Sequence, residues 1–296
     1  MGILNRTSDG LPSVLVAVLR LLHGRDAMER EKLQALLAPK SLVDSPKQVR
    51  QTLNRWVQIG LFTEEDGRVG LTSTWSPSPD AGIPGQRALF GYLRDLLLAP
   101  SNNEDLVKPK PRAGTDFVRA LCWALTLDVY RPLDSATALS LDSAQFKGPL
   151  TALENSTRWD GFADWAPLLG FAWVCQLPST NSLVLDPTPA VQACLPGIFG
   201  DRKELDQATF FTALAQALPV VDRGDYRQKV EEQLQPGTWT RTEDHQVSPS
   251  LSRALIRLEV AGRLVLHKRA DGVHRTLLGR GFIPHRDVSH VTLGDA

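Results

Sequence analysis

The chain has 296 residues, 42% hydrophobic and 22% charged, which is enough for two or three modules with their own cores and excludes disorder as the default state. Its 33 basic and 33 acidic residues cancel, so overall basicity offers no argument for a polyanionic partner. The cancellation is not local: residues 1–75 hold 10 Lys/Arg against 8 Asp/Glu, residues 76–222 hold 11 against 16, and residues 223–296 hold 12 against 9.

The first apolar run, "LPSVLVAVLRLL", is interrupted by Arg20 and too short to span a bilayer. It also lacks the basic flank and small-residue cleavage site of a signal peptide, so the expectation is a cytoplasmic protein without a membrane partner. Pro12 in its first turn and Gly24 as its stop mark a helix, and "MEREKLQALLAP" reads as a second one ended by Pro39. Ser45 followed by Gln48 has capping-box spacing, with Pro46 at the first helical position and Gly60 as the stop. Along that third helix Val49, Leu53, Trp56 and Val57 share one face, and Lys47, Arg50, Gln51, Asn54 and Gln58 share the other. "LF" and "VGL" then flank the turn "TEEDGR" as a β-hairpin. Three helices and a hairpin predict a winged helix-turn-helix over residues 1–75, with Ser45–Gly60 in the recognition position. Arg50, Gln51 and Asn54 can reach base edges, and Lys47 or Arg55 can take phosphates. The acidic wing tip Glu64, Glu65 and Asp66 argues the other way.

"STWSPSPDAGIPG", from Ser73 to Gly85, reads as the linker into an acidic, mainly helical middle domain, residues 76–222, and "SNNEDLVKPKPRAG" as a long exposed loop. Trp123, Trp159, Trp165 and Trp173 are expected in core or at an interface. "WAPLLGFAWVCQLPSTNSLVLDPTPAV" repeats the earlier pattern weakly, with an apolar stretch to Gly170, a strand at Phe171–Val174 and another at Leu183–Leu185, as a degenerate third winged helix would. Cys122, Cys175 and Cys194 are odd in number, widely spaced and set among apolar residues, and so read as buried small hydrophobes.

Residues 223–296 repeat it strongly. When Gly60 is laid on Gly262, Leu251 falls on Val49, Leu255 on Leu53, Leu258 on Trp56, Ala261 on Ile59 and Leu264 on Phe62, and both copies open with Ser-Pro and turn at Asp-Gly. A second winged helix follows, whose expected wing "HKRADGVHR" carries His267, Lys268, Arg269, His274 and Arg275. With Arg253 and Arg257 these would form a phosphate-neutralising surface. The tail "GRGFIPHRDVSHVTLGDA" is a strand or arm that could dock on that wing.

No phosphate-binding loop, dinucleotide fingerprint, zinc-protease helix or nucleophile elbow occurs, and the histidines lack metal-ligand spacing. Asp160 and Asp164 could be drawn as an acid/base pair, but carboxylates at helical spacing are far more often a solvated face or a helix cap. The expectation is therefore no catalytic residue, no metal and no cofactor. The fold class expected is mainly α with small β-hairpins, two winged helices flanking a helical middle.

The runs "ILNRTSDGLPSVLVAVLRLL" and "LVDSPKQVRQTLNRWVQIGLF" resemble protein G of the Dpd gene clusters over roughly the first 70 residues. Those bacterial clusters insert 7-deazaguanine derivatives into DNA and restrict DNA lacking them. The resemblance implies a subunit of a multi-protein DNA-modification and restriction system without a catalytic motif of its own, and it brings no site residues. The function expected is thus a non-enzymatic adaptor that binds double-stranded DNA through its winged helices, foremost the C-terminal one and secondly the N-terminal one, and other protein subunits through its middle. The competing expectations are an assembly scaffold without DNA contact and a transcription regulator of its own gene cluster.

Overall fold

The computed structural model describes residues 2–5, 11–72, 82–109, 114–176, 181–270 and 272–294. The chain divides into two compact units, Met1–Val118 with Leu153–Trp165, and Arg119–Ala152 with Ala166–Ala296. Among the described residues, no helix is long and apolar enough to cross a membrane.

The first unit opens with α1 (Pro12–Leu22), β1 (Met28–Glu29), α2 (Arg30–Leu37), α3 (Lys47–Ile59), β2 (Phe62–Glu65) and β3 (Arg68–Leu71). The strands form one antiparallel sheet in the order β1-β3-β2. Its hairpin closes through Asp66 and Gly67, both at positive φ (49° and 72°), the two-residue turn whose twist matches the strands. Leu15, Val18, Leu19 and Leu22 of α1 and Leu53 and Trp56 of α3 are almost wholly buried, and Trp56 lies 5.6 Å from Trp165. Ile3 and Leu4 are also fully buried. The Leu4 N–H donates to Asp116 at 3.1 Å, and a Cβ on Gly161 would sit 2.3 Å from the Leu4 carbonyl oxygen, so glycine is required there. Burial raises the Asp116 pKa, against the hydrogen bond from Leu4 and the charge of Arg158.

Two local expectations fail in this unit. Helix α3 starts at Lys47 with Pro46 as its cap residue and no side-chain capping bond, so the capping box at Ser45 and Gln48 does not form. Of the expected exposed loop, residues 101–109 are not simply exposed, because Asn103, Asp105 and Leu106 are buried and Asn103 donates to the carbonyl of Leu97 at 2.7 Å; residues 110–113 lie outside the described residues. The loop follows α4 (Gly82–Leu98), which occupies the end of the expected linker; residues 73–81 of that linker lie outside the described residues.

The boundary between the units falls within α5 (Thr115–Ala124) and α7 (Ser156–Leu168), on either side of α6 (Ser135–Gln145). The second unit continues with β4 (Ala172–Gln176), β5 (Asn181–Leu185), α8 (Thr188–Phe199), β6 (Glu204–Asp206), α9 (Gln207–Ala217), α10 (Asp225–Glu231), β7 (Gln246–Val247), α11 (Pro249–Val260), β8 (Leu264–His267), β9 (Arg275–Leu277), β10 (Arg286–Val288) and β11 (His290–Leu293). Strands β4 and β5 pair antiparallel, close to where the weak repeat places them. The hairpin expected between β8 and β9 does not form. Instead β8 pairs with β11 from the tail in a sheet ordered β6-β11-β8, and β9 joins one ordered β10-β9-β7. The tail strand wins because Val291 is fully buried between Leu205 and Leu266, its partners on either side.

One succession of elements occurs three times along the chain. Helix, strand, helix, helix, strand, strand describes α1-β1-α2-α3-β2-β3, and equally α8-β6-α9-α11-β8-β11 once α10, β7 and the β9–β10 excursion are set aside. The sheet order, first strand, third, second, is the same in both. Between them, α5, a bridge at Leu133, α6, α7, β4 and β5 repeat it, Leu133 pairing with Leu183 of β5. The last succession takes its first strand and first two helices from residues 188–217.

Each third helix also ends alike. Gly60, Gly170 and Gly262 adopt φ of 94°, 88° and 70°. The N–H of the next residue then reaches back to the carbonyl five positions earlier: Leu61 to Trp56, Phe171 to Ala166 and Arg263 to Leu258. This left-handed stop satisfies two orphan carbonyls and turns the chain into the wing, at a residue where a side chain would be strained.

Candidate nucleic-acid interface

On α3 the split into two faces expected from spacing is observed, except that Val57 is only half-buried and Arg55 is buried. Val49, Thr52, Leu53, Trp56 and Ile59 are buried, while Lys47, Gln48, Arg50, Asn54 and Gln58 are exposed and Gln51 is half-buried. Arg55 belongs to the buried side, donating to Gln58 Oε1 at 2.8 Å and lying close enough to Asp116 to act on its charge, so it is not available to a phosphate. Neither Lys47 nor Arg50 has an acidic partner among the described residues, so both charges face solvent. Asn54 accepts a hydrogen bond from Arg30, whose guanidinium also pairs with Glu64 and donates to the Arg50 carbonyl at 3.2 Å. Arg30 therefore fixes the wing against α3 and neutralises one of its three carboxylates, leaving Glu65 and Asp66 exposed.

A cavity of ≈ 230 Å³ opens beside the start of this helix, lined by Val14, Ala17, Leu37, Val43 and Val49 among others. Leu42, in the same α2–α3 connection, is 80% exposed.

The second unit treats its cations differently. Arg253 donates to the Val129 carbonyl at 2.6 Å and lies over the Tyr130 ring. Arg257 pairs at 2.7 Å with Asp186, which is fully buried and also accepts from the Trp173 indole N–H at 2.9 Å. Lys268 closes on Asp287 at 2.7 Å, with His274 3.7 Å from the same carboxylate. Arg269 reaches both oxygens of Glu204 at 2.7 and 2.8 Å. Arg275 donates to Gln207 Oε1 and the Asp244 carbonyl, both at 2.8 Å, over the ring of Phe211. His267 Nε2 is 3.0 Å from Thr292 Oγ1.

These pairs register in the carboxylates. Hydrogen bonds from Lys268 and Thr276 hold Asp287 below its ordinary range. Glu204 is lowered too: some desolvation opposes it, and the bonds and charge of Arg269 prevail. The partners Asp186 and Glu204 carry no local sequence signal, because they lie 71 and 65 positions from the arginines they hold.

Cys122 is buried with a thiol pushed up by desolvation, whereas Cys175 and Cys194 are only half-buried, short of the burial expected for all three. Trp123, Trp159 and Trp165 are core, and Trp173 is half-exposed. Asp160 and Asp164 are half-buried on α7. Among the described residues, no group of three or more His, Cys, Asp or Glu could hold a metal ion.

These features describe a mainly helical protein with small antiparallel β-wings. A family model described as DpdG-like matches residues 1–272, and the chain belongs to that family. Membership places it among the proteins of the Dpd (7-deazaguanine) defence gene clusters, and the match runs far beyond the first 70 or so residues that carry the resemblance in sequence. No curated protein and no solved structure matches.

Proposed function

We propose that the chain is a non-enzymatic adaptor subunit of a 7-deazaguanine DNA-modification and restriction system. In this reading the three repeated successions are winged-helix modules, and the first contacts duplex DNA through Lys47, Arg50, Gln51 and Asn54 while other surfaces dock partner subunits. One observation carries it: the outward face of α3 presents Lys47 and Arg50 to solvent without an acidic partner among the described residues, on a helix whose other face is locked into the core. Arginine and lysine placed so neutralise phosphates, and Gln51 and Asn54 are amides able to reach base edges. A fluorescence-anisotropy titration of the purified chain against a random-sequence duplex at low salt tests it. Binding that K47Q/R50Q weakens at unchanged melting temperature supports the adaptor, and no binding by the folded wild type overturns it.

A second reading, an assembly scaffold whose winged helices bind only proteins, is favoured by the apolar cavity beside Val43 and by the exposed carboxylates of Glu65 and Asp66. It is the reading left standing if the duplex is not bound.

A further inference from the structure

Lys268 and Arg269 of the second unit each close on a carboxylate, but another cluster in the same unit gathers more guanidiniums than carboxylates. Asp128 receives the Arg280 guanidinium through both oxygens, and Arg131 Nε lies 3.4 Å away. The guanidinium carbons of Arg253 and Arg280 are each 5.4 Å from the centre of the Tyr130 ring, whose own N–H donates to Asp128 at 3.1 Å. Three guanidiniums therefore gather around Tyr130 beside one carboxylate, Asp128, which Arg131 and Arg280 contact while Arg253 donates to the Val129 carbonyl, a surplus of two positive charges among the described residues. Arg131 and Arg280 are 79% and 48% exposed, so the surplus faces water.

Beside Arg280 the chain makes a tight loop that carries Phe282 at its tip, 108% exposed. The loop is fixed from within. The Gly279 N–H donates to His285 Nδ1 at 3.1 Å, Ile283 N–H to the Arg280 carbonyl at 3.2 Å, and a Cβ on Gly279 would sit 2.1 Å from the Ile283 carbonyl oxygen. An aromatic ring held out on a closed loop next to surplus guanidiniums combines an apolar wedge with phosphate donors, and its ordering cost is met before any ligand arrives.

We infer that Arg131, Arg253 and Arg280 around Tyr130 form a second contact for duplex DNA, with the guanidiniums on phosphates and Phe282 set against the sugar and base edges of a groove. The inference rests on the DNA-binding reading above and adds a site to it. The test is the salt dependence of duplex affinity for the full chain and four variants: R131Q/R280Q, F282S, D128N and K47Q/R50Q. Each lost phosphate contact lowers the slope of log affinity against log salt by about one, so R131Q/R280Q loses about two. F282S weakens binding with the slope unchanged, because an apolar contact releases no counterions. D128N, which breaks the same ion pair, tightens binding by exposing the surplus charge. If the cluster only holds the fold, D128N weakens binding or leaves it unchanged, and the inference is wrong. If K47Q/R50Q loses affinity while R131Q/R280Q and F282S bind as wild type, the second contact is refuted and the adaptor reading stands. If the wild type does not bind, both fall.

Discussion

Lys47 and Arg50 on α3 stand in solvent with no carboxylate partner among the described residues, whereas Lys268 and Arg269 each close on one, Asp287 at 2.7 Å and Glu204 at 2.7 and 2.8 Å. Composition alone ranks these regions the other way round, because residues 223–296 hold 12 basic residues and residues 1–75 hold 10. What a polyanion meets is the charge that remains after internal pairing. A phosphate approaching Arg269 must compete with a carboxylate already in place, while one approaching Arg50 displaces only water and counterions. Residue counts measure supply, and contact geometry measures what is left to bind with.

The largest effect expected from this contrast is on stability. Arg257 is a strut and not a free cation, since its partner Asp186 is fully buried and also holds Trp173 and Thr188. Replacing Asp186 with Ala strands those donors and is expected to cost about 3 kcal/mol, the size of breaking a buried pair by removing one partner, while Lys47→Gln stays within about 0.5 kcal/mol, as exposed substitutions do. Urea denaturation of both variants checks it; equal midpoints would remove the distinction between paired and free cations.

The next effect compares the two Ser-Pro starts. Ser248 accepts from the Leu251 N–H and is bonded to Asp222 through both its N–H and its hydroxyl, whereas Ser45 makes no capping bond. Ser248→Ala is expected to cost about 1 kcal/mol and Ser45→Ala close to nothing, read from thermal melting of each. A comparable loss at Ser45 would mean that α3 is capped after all, contrary to its observed start at Lys47.

The smallest effect is on pH dependence. Asp287 and Glu204 both have folded-state pKa values below their unfolded ones, so their pairs add stability above the ordinary carboxylate range and lose it as pH falls through the folded values. Acidification from pH 5 towards 3 should therefore lower the melting temperature of wild type more than that of E204Q/D287N. Parallel curves for the two would show that the wing pairs do not contribute.

Much of the fold was legible because it is written locally. Pro12, Pro39, Gly60 and Gly262 mark helix ends within a few residues of where they occur, and the Asp66-Gly67 turn sets its hairpin by backbone preference alone. Gly170 repeated the stop weakly, and its φ of 88° with the Phe171-to-Ala166 bond makes it equivalent to the other two. Of the superposed pairs, four are buried on both sides, but Ala261 is exposed where Ile59 is core.

What local reasoning misses is non-local. Strand β8 had two partners available, the near strand β9 and the distant β11, and only burial of Val291 between Leu205 and Leu266 decides for the second. The same holds at the candidate site: the residue types on α3 were readable, whereas the pairing of Arg257 and Arg269 depends on Asp186 and Glu204, which no spacing rule connects to them. Arg55 was misplaced because the buried face of α3 is wider than its apolar stripe.

The most direct test sets the two surfaces against each other. The salt dependence of duplex affinity is measured for wild type, K47Q/R50Q and K268Q/R269Q under one set of conditions. A slope about two smaller for K47Q/R50Q, with K268Q/R269Q unchanged from wild type, is the predicted result. A slope lost in K268Q/R269Q and kept in K47Q/R50Q would contradict it, showing that the paired wing cations bind the duplex and the open face of α3 does not.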